Sequence, residues 1–595
     1  MKRMYGKFFL LFSLTLFLTA SLFAVTNKVQ YHTNARLQAV FEHVQNRFPE
    51  IVHVNTLAKT RSGLPILLVR VGKGDAKTLD SRSGILVVGS VEGNHLVGSE
   101  VALGVVRNLA QRYGRSDSTT ALLDTHVLYV IPRLNPEGAA YFFKETKWEH
   151  PWNNTPTDDD HDGLTDEDGP EDLNGDHLIT FMRVRDPEGS YLPDPKNHEL
   201  LRKADPSKGE VGVFKMYIEG KDDDQDGNFN EDGVGGVNIN WNFPQFYPAF
   251  RVGAGAYMES EPETRAISKF IFEHRNIALA LVYSLHDNLV HPPKMRRAAT
   301  GRQGTKATGH RKSYFRGPAR EMAKGDLVLF QTVGAFYRKI MQVSKKAEPV
   351  TANDGGKGSL GKWLYFQAGV PAFVTSLMVV PEVKQSQSGR KDSLGSRMPK
   401  IGSKFRGKMA VEGQKDELST DRKWLTYFQA AKRPGFIPWK PFRHPQLGQV
   451  EIGGFAPFAR TTPPAEEIPD LVRKQTAFWT YLLARLPRLV LQKLSVVKKG
   501  DRVFALSATI CNEGKFPTAT EFGAQTRLSR PILVKLFSKR GHLLTGSKIV
   551  FLPRLLGSGG TKKVHWLLTA PEGSTVTLKI VSQNAGILTR TVVLK

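Results

Sequence analysis

A single cysteine, Cys511, stands in 595 residues, and one thiol cannot close an intrachain disulfide. In an exported chain of this size, that lack points to a bacterial envelope and away from an animal secretory route. Acid is scarce too: 57 Asp and Glu face 83 Lys and Arg, giving a net charge of +26. After the first two dozen residues no apolar run approaches the roughly 18 residues that a spanning helix needs. Aromatics are not interleaved with the basic clusters at a spacing that would stack bases, which argues against nucleic acid. Apolar residues, at 40%, are not in deficit, and a chain this long is expected to divide into two or three domains with ordinary cores.

The chain begins with Lys2, Arg3 and Lys7 ahead of an apolar stretch over 8–18, followed by small residues up to Ala24. That layout predicts a signal peptide over 1–24 and a secreted or periplasmic destination, with an uncleaved anchor as the alternative. The positive surplus gathers at about 294–324, starting with Lys294, Arg296 and Arg297, and at about 384–408, from Lys384 to Lys408. Such stretches suit contact with an anionic polymer or a membrane surface, or are simply solvated loops.

Between about 30 and 150, strand and helix signals alternate. Ile66 to Val71, Ile85 to Val88 and Val127 to Ile131 are short apolar runs, as buried strands are. Val97, Val101, Val105, Val106 and Leu109 recur at helical spacing. Strand and helix in alternation predict an α/β layer fold. An acidic insert follows, at about 153–235. It holds Asp158-x-Asp160-x-Asp162-Gly163 with Asp166, then Asp172-x-Asn174-x-Asp176, then Asp222-x-Asp224-x-Asp226-Gly227. Alternate carboxylates with a glycine at the sixth position can wrap oxygens around calcium; acidic solvated turns are the alternative. From about 488 to 595 short strand-like runs are separated by Gly, Asn and Pro turns, the pattern of a β-sandwich with a packing or surface-binding role.

The residues suited to chemistry lie in the α/β part. Glu92 and His95, three apart, follow a strand and precede a helix, and His286 ends the apolar run Val282-Tyr283-Ser284-Leu285. Two imidazoles and one carboxylate can hold zinc with a position left open for water, although a lone His is more often structural.

From about Tyr31 to Pro487 the chain resembles the zinc carboxypeptidases of the carboxypeptidase A type, in a bacterial branch with Asp-rich inserts. The segments that carry the resemblance include Gly93-Asn94-His95-Leu96-Val97-Gly98, Leu134-Asn135-Pro136-Glu137-Gly138, Met182-Arg183-Val184-Arg185-Asp186-Pro187, Val237-Asn238-Ile239-Asn240-Trp241-Asn242 and Ser260-Glu261-Pro262-Glu263-Thr264. The resemblance implies a mixed eight-stranded sheet flanked by helices. It places the zinc ligands at Glu92, His95 and His286, with the family's His-x-x-Glu order exchanged to Glu-x-x-His. The family's supporting Asp becomes Asn238, which is expected to donate to Glu92. Its carboxylate-gripping Arg becomes Trp241 and its catalytic Glu becomes Ser376, while Arg183 matches the oxyanion Arg and Asn240 a substrate-binding Asn. A serine is a poor general base near neutral pH, and an indole does not replace a guanidinium fork. Glu382 or Asp287 could stand in as base. These exchanges imply an exported, metal-binding family member with impaired or lost peptide hydrolysis. One alternative is an active metallocarboxypeptidase or amidohydrolase cleaving peptide-like or peptidoglycan-like substrates with a rearranged site. Another is a surface-binding structural protein.

Overall fold

The computed structural model describes residues 30–158, 163–166, 168–224, 227, 229–230, 233–293, 321–350, 356–382 and 418–595. The expected signal peptide, most of both basic stretches, and Asp160, Asp162 and Asp226 lie outside these residues.

Short apolar strands form the first sheet: β1 (Val52–Lys59), β2 (Pro65–Val71), β3 (Gly84–Val88), β4 (Val127–Ile131), β9 (Ile277–Tyr283) and β10 (Ala372–Thr375), in the order β1-β2-β4-β3-β9-β10. The last four in that order run parallel, while β1 and β2 are antiparallel to their neighbours. The sheet is therefore mixed, as the resemblance implies, with six strands among the described residues where eight were expected. Every residue of β3 and β4 is buried, because helices cover both faces. Ile85 and Val87 join a core with the helices Asn34–Arg47, Val97–Arg112, Lys324–Met341 and Ile468–Leu483. Leu86 and Val88 point the other way, against Pro262–Glu273 and Leu360–Phe366. Each such aliphatic side chain contributes roughly 1.5–3 kcal/mol when fully buried.

The acidic insert contributes most of a second, antiparallel sheet. Its strands are β5 (Phe181–Arg185), β6 (Tyr191–Asp194), β7 (Asn197–Lys203) and β8 (Phe214–Ile218), joined by β11 (Phe436–His444) and β12 (Gly448–Phe455) in the order β11-β12-β5-β8-β6-β7.

The C-terminal unit is a β-sandwich. One sheet is β13 (Leu489–Gly500), β14 (Val503–Asn512), β18 (Gly560–Thr569) and β16 (His542–Thr545). The other is β17 (Ile549–Leu552), β15 (Ile532–Ser538), β19 (Thr575–Ser582) and β20 (Gly586–Val593). Alternation sends Leu506, Trp566, Val534, Leu536, Leu578 and Ile580 inward to a shared core.

Reciprocal caps fasten the sandwich to the first unit. Buried Asp326 accepts the N–H groups of Glu521 (2.7 Å) and Phe522 (3.1 Å) and the Tyr365 hydroxyl (2.8 Å). In return the Glu521 carboxylate accepts the N–H of Gly325 at 2.7 Å.

Candidate active site

The parallel strands end on one edge, where open α/β sheets bind ligands. Glu92 and His95 follow β3, Ser284 and His286 follow β9, and Ser376 follows β10. The turn after β3 is tightly made. Ser90 sits at φ +42° and is held there by its hydroxyl, which donates to the His95 carbonyl at 2.7 Å and lies 2.7 Å from the Ser99 hydroxyl. Gly93 is required because a Cβ there would come within 2.4 Å of the Gly138 Cα.

This turn buries Glu92 and His95 side by side. Glu92 Oε1 accepts from Asn240 Nδ2 (2.7 Å) and from the Ser284 hydroxyl (2.9 Å), and Oε2 accepts the N–H of Leu285 (3.2 Å). The ring Nε2 of His95 donates to the Ser376 carbonyl at 2.9 Å, and Nδ1 has no hydrogen-bond partner among the described residues. Burial holds this imidazole below its ordinary pKa, opposed by the Ser376 carbonyl and the Glu92 charge. His286 is only part-buried, and its backbone N–H donates to Ser284 Oγ at 3.2 Å.

A zinc centre needs three ligands whose lone pairs meet at one point. In the expected set of Glu92, His95 and His286, the Glu92 carboxylate accepts from three donors, which leaves one of its roughly four lone-pair sites. Among the described residues no three His, Cys, Asp or Glu side chains lie close enough to share an ion. The residues present do not fit zinc in this arrangement.

Other expectations shift with it. Asn238 does not reach Glu92: its Oδ1 caps the short turn Ile239–Trp241 by accepting the N–H of Asn240 at 2.9 Å. Asn240 takes the place expected of Asn238. It is consumed there, with Nδ2 on Glu92 and Ser284 and Oδ1 accepting the N–H of Leu360 at 3.0 Å, so it is not poised for substrate. Ser284 is a site residue that sequence reasoning missed; only its place two before His286 hinted at a shared face. Ser376 is buried and its hydroxyl donates to the Met378 carbonyl at 2.6 Å, turned to its own backbone. Arg183 lies on β5 of the second sheet, where it pairs with Glu451 at 2.8 Å and stacks 4.5 Å from the Trp439 ring centroid; it does not join the Glu92 cluster. Asp287 accepts the N–H groups of Val290 (2.7 Å) and His291 (3.1 Å) and is pushed up to about 6, chiefly by burial. Trp241 forms an aromatic wall, with the Arg251 guanidinium 3.4 Å from its ring centroid and Trp152 at 6.4 Å.

The first and third acidic units fold alike. Asp158 accepts the N–H of Gly163 at 3.2 Å, and Asp222 accepts that of Gly227 at 3.1 Å. Gly163 and Gly227 have φ of +98° and +94°, and Asp166 and Asn230 have φ of +60° and +56°. The loops interlock through buried Asp168, which accepts the N–H groups of Asp223 (3.2 Å) and Asn230 (2.6 Å). Asp166 accepts the N–H of Gly235 at 2.8 Å. Asp158, Asp166, Asp168 and Asp222 thus serve as backbone caps, and no cation group is found among the described residues. The expected calcium set of Asp158, Asp160, Asp162, Asp166, Asp222, Asp224 and Asp226 lies partly outside them.

The zinc carboxypeptidase family profile matches residues 37–375, and a domain of unknown function (DUF8731) matches residues 488–593. Carboxypeptidase E of Caenorhabditis elegans is 22% identical over 109 residues, covering 18% of this chain and 23% of that protein. The inactive metallocarboxypeptidase ECM14 of Saccharomyces cerevisiae is 25% identical over 107 residues, covering 18% and 24%. The chain thus spans about a quarter of the length of these relatives. Among solved structures, the carboxypeptidase A from Helicoverpa armigera aligns with a TM-score of 0.34 at 13% identity, covering 60% of this chain and 66% of that one. With the profile covering more than half of its residues, the chain belongs to the zinc carboxypeptidase family.

Proposed function

We propose that this family member binds peptide-like ligands at the β3–β9 edge without hydrolysing them. The observation that carries this reading is the Glu92 carboxylate, which already accepts from Asn240, Ser284 and the Leu285 N–H. The loss of a general base at Ser376 supports it; such a loss alone costs roughly 10²–10⁴-fold. One matched relative is itself named an inactive metallocarboxypeptidase. Elemental analysis of the purified full chain, with hydrolysis assays on a panel of C-terminal peptides, tests the reading. The expected result is no stoichiometric zinc and no turnover. Stoichiometric zinc with turnover abolished by Glu92→Ala would overturn it.

A second reading, an active metallohydrolase with a rearranged site, is favoured by one observation. His95 Nδ1 is buried beside Glu92 with no partner among the described residues, and an imidazole nitrogen in that state suits a metal. The same assay separates the two readings. Export to the cell envelope through residues 1–24 belongs to both, as does calcium at the paired acidic loops, which isothermal titration with calcium chloride would detect.

A further inference from the structure

The outer sheet of the sandwich presents an uncovered face. Strand alternation turns Ile532, Val534 and Leu536 into the core, so Leu533, Lys535 and Phe537 point outward. Cross-strand register extends this face over all four strands. One row runs Phe551, Leu533, Val581, Ile587, apolar from edge to edge. The next runs Ile549, Lys535, Lys579, Thr589. Phe551 is 63% exposed, Ile587 58%, Phe537 52% and Ile549 42%. Contiguous apolar exposure of this kind marks an interaction surface.

The charge on the face says what covers it. Lys535 and Lys579 stand directly opposite each other, a placement that disfavours the sheet by itself. The two rows hold no carboxylate. From Arg530 to Lys595 there are 11 Lys and Arg against one acid, Glu572, and Glu572 pairs with Lys498 at 2.9 Å. A second copy laid face to face would bring the two lysine pairs together. A glycan would call for Trp or Tyr platforms and for Asn, Asp or Gln to bond its hydroxyls, and none lies in these rows. Phenyl and branched aliphatic side chains beside lysines match the boundary between acyl chains and anionic headgroups.

We propose that the β17-β15-β19-β20 face docks the protein on an anionic phospholipid bilayer, with Phe551 and Ile587 entering the headgroup boundary and Lys535 and Lys579 meeting lipid phosphates. Co-sedimentation of the full chain with vesicles tests this. Vesicles of phosphatidylcholine mixed with phosphatidylglycerol are expected to bind it, and phosphatidylcholine alone is not. The pairs Phe551→Ser with Ile587→Ser, and Lys535→Gln with Lys579→Gln, each weaken binding by about tenfold or more, with thermal melting lowered in neither, because these side chains lie outside the core and the lysine change relieves a repulsion. Equal binding to neutral vesicles would overturn the proposal, and so would binding to anionic vesicles that neither pair diminishes. Capture by soluble polyglutamate, lost with the lysine pair while vesicles fail to bind, would overturn it in favour of an acidic polypeptide.

Discussion

Glu92 and Glu263 are two buried carboxylates in opposite circumstances. Glu92 is met by three donors, the condition under which a buried charge is tolerated. Glu263, in the first turn of the helix Pro262–Glu273, is fully buried with both oxygens lacking partners among the described residues. Burial pushes it up to about 8, and the charges of Glu137 and Glu261 add to the shift. The folded state therefore holds this proton more tightly than the unfolded chain does. The stability it confers is complete below the ordinary carboxylate pKa and is lost as pH rises through about 8. Melting curves from pH 4 to 9 should show Tm falling across that window in the native chain and a flatter profile in Glu263→Gln. An unchanged profile would mean that another group carries the slope. The apolar run before Glu92 and His95 made their place at a strand end legible in the sequence, whereas the roles expected of them and of Ser376 rest on the resemblance. Their hydrogen bonds were not visible: a lone Ser284 has no spacing signature, and nothing local distinguishes Asn238 from Asn240 as the donor to Glu92.

The paired acidic loops are held by hydrogen bonds that their spacing alone does not announce. Their spacing reads as a cation wrap, and of that set Asp158, Asp166 and Asp222 receive backbone N–H groups. Asp168 is the shared post, holding Asp223 and Asn230 of the opposite loop. Asp168→Ala leaves those N–H groups without their acceptor, a cost of about 1–3 kcal/mol. Hydrogen exchange at Asp223 and Asn230 should speed up while exchange in β3 and β4 stays slow. The strands of the first sheet and the sandwich were legible because an apolar run of five residues, or strict alternation, is a local signal. The second sheet was not, since β5 pairs with β12 more than 260 residues away (Arg183 opposite Glu451) and its strands are rich in charge.

At the scale of the whole molecule, the sandwich and the first unit are joined by interdigitated polar groups. Asp326 receives two N–H groups from the helix Glu521–Gln525, and Glu521 returns the contact to Gly325. Asp326→Ala should cost about 1–3 kcal/mol at this junction. It should appear as a lower Tm and as faster protease release of the sandwich near Arg485–Arg488. That reciprocal cap also has a geometric consequence. A sandwich that settles on a lamella would carry the β3–β9 edge at one set height and azimuth above it, so the protein would survey a thin layer of solution instead of the bulk volume.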